Sequence, residues 1–228
     1  MTTIIFQIVL IIHIICGTFG LTAGTLAMVI SKTRQLHKTV GKVFFYSILG
    51  VFITSIYMSI VHNNIFLLLV GFFSFYLAAT GYRILFLKKL NSAVIKPKLL
   101  DYLIAATGVL SGIAIIILGI FLFIKGNMFG FVCFNFGFIS IWLGYKDAIK
   151  FKNPPTEKTH WIKSHALRMA GAYTATVTAF VVVNIQISNG WILWILPSLL
   201  IIPITKKILN NFINPKTKKS IIKNFKNV

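Results

Sequence analysis

Seven long apolar runs, each close to the length of a membrane-crossing helix, constrain this chain more than any other feature. A helix needs ~20 apolar residues to cross the ~30 Å hydrocarbon core of a bilayer. Of the 228 residues 57% are hydrophobic and only three are acidic, so a soluble core could not bury this much apolar surface. The runs are 3–30, 40–61, 65–87, 100–124, 128–145, 161–184 and 191–208. The sequence therefore predicts an all-α polytopic membrane protein, a bundle of seven transmembrane helices.

Lysine and arginine concentrate in alternate connections between these runs and in the tail, which leaves Lys125 for the connections on the other side. Because basic loops are retained in the cytoplasm, we expect the N-terminus outside and the C-terminus in the cytoplasm. This orientation predicts a multi-pass protein of the cytoplasmic (inner) membrane. Its transmembrane domain covers 1–208 and its basic cytoplasmic tail 209–228. The basic loops and tail are expected to contact anionic lipid.

Several other classes of protein are not expected. The net charge of +20 could indicate nucleic-acid binding, but the cations fall between or after apolar runs, where they meet lipid head groups, so no nucleic-acid partner is predicted. Cys16 and Cys133 lie inside apolar runs and do not form a disulfide framework. The N-terminus has no basic region or cleavage site of a signal peptide. Motifs typical of soluble nucleotide-binding and hydrolytic enzymes are absent from the sequence.

The run 161–184 carries both an imidazole, His165, and a guanidinium, Arg168. At ~100° per residue these side chains share one helical stripe with small residues that continue to Ala179. A stripe with a charged end is costly in lipid, so we expect this face to point into the protein.

Polar residues of several runs gather near the predicted cytoplasmic side. Arginine occurs only three times, so we expect it where a planar donor is needed, paired with Asp101 or Asp147. Snorkelling of arginine to the interface, and a carboxylate at a helix start, are the ordinary alternatives, and structural pairing is favoured over ligand contact. The candidate inner polar cluster comprises His37, Arg83, Asp101, Asp147, His165, Arg168 and Tyr173.

Two histidines, His13 and His62, lie toward the other side, at heights that differ by about one helical turn. Two histidines on facing helices at matched depth could be axial ligands of a haem b or part of a metal site. A histidine bonded to a neighbouring carbonyl or serine is the ordinary alternative. His37 and His165 form a second candidate pair, and the cofactor stays open.

Three stretches carry a family likeness: 37–41, 75–83 and 168–184. They resemble the corresponding stretches of bacterial predicted membrane proteins with domain of unknown function 2306. The resemblance covers most of the chain and is most specific in the sixth run. It implies a multi-spanning bacterial membrane protein and no reaction. The positions that match family motifs are His37, Gly41, Gly81, Arg83, His165, Arg168, Gly171, Tyr173 and Asn184.

The sequence leaves the molecular function, and whether the protein is an enzyme, undetermined among three specific classes. Histidines at two depths indicate a haem b or metal protein in membrane electron transfer. Small, hydroxyl-lined helix faces and a seventh run interrupted by Pro197 and Pro203 indicate a small-solute transporter or channel. The third class is a membrane assembly or interaction subunit with an unknown protein partner.

Overall fold

The computed structural model describes residues 2–30, 35–90 and 95–213. Within these ranges the chain forms seven α-helices, and all seven segments are long and apolar enough to cross a membrane. The all-α, seven-span prediction is confirmed at this level. The helices are α1 (Thr2–Val29), α2 (Gln35–Val61), α3 (Ile65–Arg83), α4 (Leu99–Ile124), α5 (Phe129–Lys152), α6 (His160–Asn184) and α7 (Leu196–Ile213). Short 3-10 helices follow α3 (Ile84–Phe86) and precede α7 (Gly190–Trp194).

Three helices extend several residues beyond the predicted runs. Helix α2 begins at Gln35 rather than at residue 40. Helix α5 continues past residue 145 to Lys152, because no helix breaker occurs before Pro154 and its lysines can reach water from the helix end. Helix α7 continues past residue 208 to Ile213, so the start of the predicted tail is helical. The rest of that tail, 214–228, lies outside the described residues.

The predicted interruption of the seventh segment occurs before its first proline. The 3-10 helix Gly190–Trp194 gives way to α7 at Leu196, which places Pro197 in the first turn. A proline there costs no intrahelical hydrogen bond, because the first amides of a helix have no partner in any case. Pro203 lies inside α7 and is exposed.

The two ends of the bundle differ in charge. Helices α1, α3, α5 and α7 end, and α2, α4 and α6 begin, at what we name the basic end. Among the described residues, Lys125 is the one cation at the opposite end. Aromatic rings pack at that opposite end: the ring centroid of Phe66 lies 4.7 Å from that of Phe129 and 5.0 Å from that of Trp194. These edge-to-face contacts hold α3, α5 and the segment before α7 together.

Helices α3 and α6 occupy the centre of the bundle. Helix α3 packs on α2, α4 and α6, and α6 packs on α1, α3 and α7. The two central helices approach closely at Gly81, where an added Cβ would lie 2.8 Å from Sδ of Met169 and 3.0 Å from Cβ of Arg168. Side chains of α6 therefore reach helices on several sides of the bundle.

Helices α4 and α5 form the tightest pair through a seam of glycines. A Cβ added to Gly137 would lie 2.8 Å from the backbone oxygen of Gly112, and one added to Gly144 would lie 2.9 Å from the backbone oxygen of Ala105. Without side chains the two backbones can touch, which is how membrane helices gain packing energy. Ser140 adds a hydrogen bond across the seam. The other glycines of the seam are Gly119 and Gly130.

We expect Gly137→Leu to destabilise the fold, because its side chain cannot be accommodated between two backbones. Overpacking costs ~1–3 kcal/mol or more. Gly17→Leu is the matched control, since a Cβ added to Gly17 meets nothing within 4 Å. Thermal unfolding of the purified variants in detergent measures the difference. Equal unfolding temperatures for the two variants would contradict the seam.

Candidate functional site

All three acidic side chains of this protein form ion pairs with a cation. The pairs are Arg168–Asp147, to which Lys150 adds a second cation, Arg83–Asp101 and Lys163–Glu157. The first two lie within membrane-span-like helices and the third is exposed at the surface. The sequence did not decide which aspartate each arginine would pair with. In the structure Arg83 pairs with Asp101, and Arg168 pairs with Asp147.

The Arg168 pair is the most buried and has the most partners. Nη2 of Arg168 donates to Oδ2 of Asp147 at 2.8 Å and to the backbone oxygen of Leu143 at 3.1 Å, and Nη1 donates to the hydroxyl of Tyr76 at 2.8 Å. That hydroxyl donates in turn to Oδ2 of Asp147 at 2.7 Å. Lys150 donates to the other carboxylate oxygen at 3.2 Å. Helices α3, α5 and α6 are thus joined by one hydrogen-bonded network.

The Arg83–Asp101 pair is bidentate. Nε of Arg83 lies 2.6 Å from Oδ1, and Nη2 lies 3.1 Å from Oδ2 of Asp101. Asp101 also accepts the backbone amide of Lys98 at 2.7 Å, so it caps the start of α4 while it binds the arginine. Both roles considered from the sequence, ion pairing and helix-dipole stabilisation, are therefore filled by one side chain.

A small space of about 20 Å³ lies between these two ion pairs. Arg83, Asp101 and Asp147 line it, together with Thr80, Lys150 and several apolar side chains. This volume accommodates about one water molecule. The four predicted residues Arg83, Asp101, Asp147 and Arg168 thus belong to one polar region, which we name the ion-pair region.

The third pair differs because it is exposed. Nζ of Lys163 lies 2.8 Å from Oε1 of Glu157, and Thr159 also donates to this carboxylate. These hydrogen bonds, that of Lys163 foremost, hold the pKa of Glu157 below its usual range. Because its pKa is lowered, the carboxylate of Glu157 stays ionised at neutral pH. The ion pair with Lys163 is lost as the pH falls through that lowered pKa.

A second feature of the basic end is a cavity of about 560 Å³ between α1, α2, α3, α6 and α7. Its walls are mainly apolar, with Phe44, Met169 and Tyr173 among them. Among the described residues that line it, the charged side chains are Lys38, Lys42 and Lys88. The acidic side chains Asp101, Asp147 and Glu157 do not line it. We name this space the basic-end cavity.

The residues that line the cavity reach a limiting depth on α1, α2 and α6, which we name its floor. Along α6 its lining runs from Trp161 to Tyr173, which corresponds to ~18 Å of helix. At its inner limit the ring of Tyr173 packs so closely on Gly24 that a Cβ there would overlap it, and the ring of Phe44 lies 3.1 Å from the same position. The hydroxyl of Tyr173 is hydrogen-bonded to Oγ1 of Thr25 at 2.7 Å. The floor is therefore held by α1, α2 and α6 together.

The remaining predicted inner residues, His37, His165 and Tyr173, line this cavity rather than the ion-pair region. Nδ1 of His165 lies 2.8 Å from the backbone oxygen of Gly81. A carbonyl only accepts, so Nδ1 carries the proton and Nε2 is the basic nitrogen of the neutral ring. The single inner cluster expected from the sequence is thus two sites, which α6 separates.

The outer histidines are not brought together as a facing pair. His13 is hydrogen-bonded through Nδ1 to Oγ1 of Thr54 at 2.8 Å. His62 is exposed, and its ring packs edge-on against Phe6 at 4.9 Å. Phe6 lies about two helical turns from His13 along α1, so the two imidazoles lie further apart in depth than the one turn expected. Among the residues that the structure describes, no group of three or more His, Cys, Asp or Glu side chains is placed to hold a metal ion.

Sequence reasoning did not single out Tyr76 or the cavity lysines. Tyr76 lies in the middle of an apolar run and is 1% exposed. A buried tyrosine hydroxyl needs a hydrogen-bond partner, so its position in the run could have indicated a polar contact there. The sequence analysis used the three cavity lysines only to infer the membrane orientation. That Lys38, Lys42 and Lys88 converge on one space depends on how α2 and α3 pack.

The fold and these two sites define a class of protein: an all-α bundle of seven membrane-span-like helices with a buried ion-pair region and a mainly apolar cavity at its basic end. Comparison of the chain with protein-family models, curated proteins and solved structures finds no match.

We expect Asp147→Asn to destabilise the fold strongly, because it leaves the buried guanidinium of Arg168 without a counter-charge. Breaking one side of a buried pair costs ~3–5 kcal/mol. The double variant Asp147→Asn/Arg168→Gln should recover part of this loss. Glu157→Gln is the control and should change little, since its pair is exposed. Thermal unfolding in detergent is the measurement, and a wild-type unfolding temperature for Asp147→Asn would contradict this role.

Proposed function

We propose that this chain is an integral membrane protein that binds an anionic amphiphile, with the ligand's apolar part inside the basic-end cavity and its charged group at the rim. The observation that carries the proposal is the composition of that cavity: mainly apolar walls combined with three lysines and no carboxylate among the described residues that line it. Apolar walls accommodate hydrocarbon, and a few converging polar groups orient a ligand. Lysines without an acidic neighbour favour an anion.

The dimensions of the cavity support a lipid-like ligand. A volume of about 560 Å³ lies within the ~300–1,000 Å³ typical of small-molecule sites. The ~18 Å of α6 that line it exceed half of the ~30 Å hydrocarbon core. An amphiphile with the apolar length of one membrane leaflet therefore matches its depth.

The floor of the cavity favours binding over conduction. A channel needs a continuous path, whereas the lining of this cavity on α1, α2 and α6 reaches no deeper than Gly24, Phe44 and Tyr173. The rings of Tyr173 and Phe44 pack on Gly24 at that depth. The aromatic cluster of Phe66, Phe129 and Trp194 lies beyond it, toward the opposite end. These contacts support a site that is reached from one side.

A haem b is the second candidate ligand, because His37 and His165 both line the same cavity from α2 and α6. A haem also combines an apolar body with anionic groups, and two histidines are a common axial pair. His37 and His165 would hold the iron, and the lysines would face the carboxylates of the haem.

The orientation and the family are parts of the same proposal. The concentration of lysine at the basic end supports a cytoplasmic location for that end, with the C-terminus inside. A fusion of an enzyme active only outside the cytoplasm to the C-terminus should be inactive. The likeness of 37–41, 75–83 and 168–184 to the family with domain of unknown function 2306 supports a bacterial inner-membrane protein, and an alignment of more sequences would test it.

We expect Gly41→Leu to remove the ligand without unfolding the protein. Gly41 lines the cavity, and an added Cβ meets nothing within 4 Å, so the leucine side chain should enter the space. Gly17→Leu, at an equally open helical position outside the cavity, is the matched control. Solvent extracts of the purified proteins, analysed by mass spectrometry, should contain an anionic amphiphile for wild type and Gly17→Leu only.

The same preparations distinguish the two candidate ligands. An absorbance band of haem in wild type and Gly17→Leu that is lost in Gly41→Leu identifies haem as the occupant. Equal amounts of every anionic amphiphile and of haem in the two glycine variants would contradict the proposed function.

A further inference from the structure

We infer that the charged group of the ligand is a phosphate monoester, as in a lipid whose phosphate ends the head group. This inference rests on the proposed function and specifies the chemistry of its anion. It follows from the number of cations at the cavity, their type, and their position at its rim.

The number of cations favours a group with more than one negative charge. Lys38 and Lys42 lie one helical turn apart on α2, so they share a face and repel one another. Lys88 adds a third charge from the segment after α3. A carboxylate or a phosphate diester brings one negative charge, whereas a phosphate monoester carries about −1.5 to −2 at pH 7. The monoester therefore compensates most of the charge that these lysines bring together.

The type of cation also favours phosphate over carboxylate. The planar fork of arginine matches a carboxylate with two parallel hydrogen bonds, and Arg83 binds Asp101 in that way. The described residues that line the cavity supply lysines instead. An ammonium is a compact charge with three donors on a flexible stem, which suits a tetrahedral group whose oxygens point in several directions.

The lysines are placed at the level of a lipid head group. Lys38 and Lys42 lie in the first turns of α2, and all three lysines are exposed. Nζ of Lys88 lies 4.5 Å from the ring centroid of Trp161, which also lines the cavity. This contact holds the ammonium at the mouth of the cavity, above walls that are apolar.

Lysines near helix ends also extend to water for reasons unrelated to a ligand. Lys146 provides the comparison, because its Nζ lies 3.9 Å from the ring centroid of Trp142, likewise toward the basic end. Lys146 does not line the cavity. The two lysine–tryptophan pairs are therefore matched in chemistry and differ in access to the ligand.

The experiment measures lipid binding to the purified full-length protein in neutral detergent by native mass spectrometry. The probes are four amphiphiles with the same acyl chains: phosphatidic acid, phosphatidylglycerol, phosphatidylcholine and the free fatty acid. The proteins are wild type, Lys42→Gln, Lys88→Gln, the double variant, Lys146→Gln, Gly41→Leu and Gly17→Leu. Inorganic phosphate is added as a competitor, to separate a lipid site from a site for free phosphate.

We expect wild type to bind phosphatidic acid in preference to the other three amphiphiles. Each cavity lysine replaced should weaken that binding roughly fivefold, from ~1 kcal/mol per lysine near a head group, and Lys146→Gln should leave it unchanged. Inorganic phosphate at the lipid's concentration should not displace the lipid, because it lacks the apolar chains.

The outcomes that overturn the inference differ from those that overturn the proposed function. Equal binding of the fatty acid and phosphatidic acid, or equal effects of Lys88→Gln and Lys146→Gln, would reject the phosphate monoester while leaving an amphiphile site. Displacement by inorganic phosphate would reject the lipid as its source. Equal binding of all amphiphiles by Gly41→Leu and Gly17→Leu would reject the cavity as the binding site altogether.

Discussion

The buried charge of Arg168 is the constraint on which the centre of this bundle depends. A guanidinium within a membrane-span-like helix is costly unless it is paired and hydrogen-bonded. Asp147 on α5, Tyr76 on α3 and the backbone oxygen of Leu143 together meet that requirement. Because the partners come from two other helices, satisfying one charge fixes the relative positions of three helices. Apolar packing alone specifies such positions less strictly, since lipid competes for the same surfaces.

Helix α6 links this network to the cavity. Arg168 faces the ion-pair region, while its neighbour Met169 and, further along the helix, Tyr173 line the cavity. His165 ties the same helix to the backbone of Gly81 on α3. The cavity wall is thus part of a helix held by an ion pair, a backbone hydrogen bond and the close approach at Gly81. A wall held in this way keeps its shape, which a binding site needs to discriminate among ligands.

Inferences based on helix length and local partners were the most successful. The lengths of the apolar runs predicted seven helices, and the scarcity of arginine directed attention to Asp101 and Asp147. Depth was harder to predict, as His62 shows. Helix α2 begins at Gln35 rather than at residue 40, so a height counted from the predicted start placed His62 too close to the level of His13. A polarity pattern locates the start of a helix poorly when its first turns, here including His37 and Lys38, are themselves polar.

The sequence by itself determined that this chain forms seven apolar helices and that its cations gather at one end, because both properties follow from the order of residues along the chain. It also identified Arg83, Arg168, Asp101 and Asp147 as groups that need partners. Only the tertiary structure decided that Tyr76 completes the Arg168 network, that His37 and His165 line a cavity apart from the aspartates, and that Lys42 and Lys88 converge on that cavity. The physical reason is that a helical periodicity specifies the face on which a side chain lies, whereas its neighbours depend on which helices pack there and at what depth.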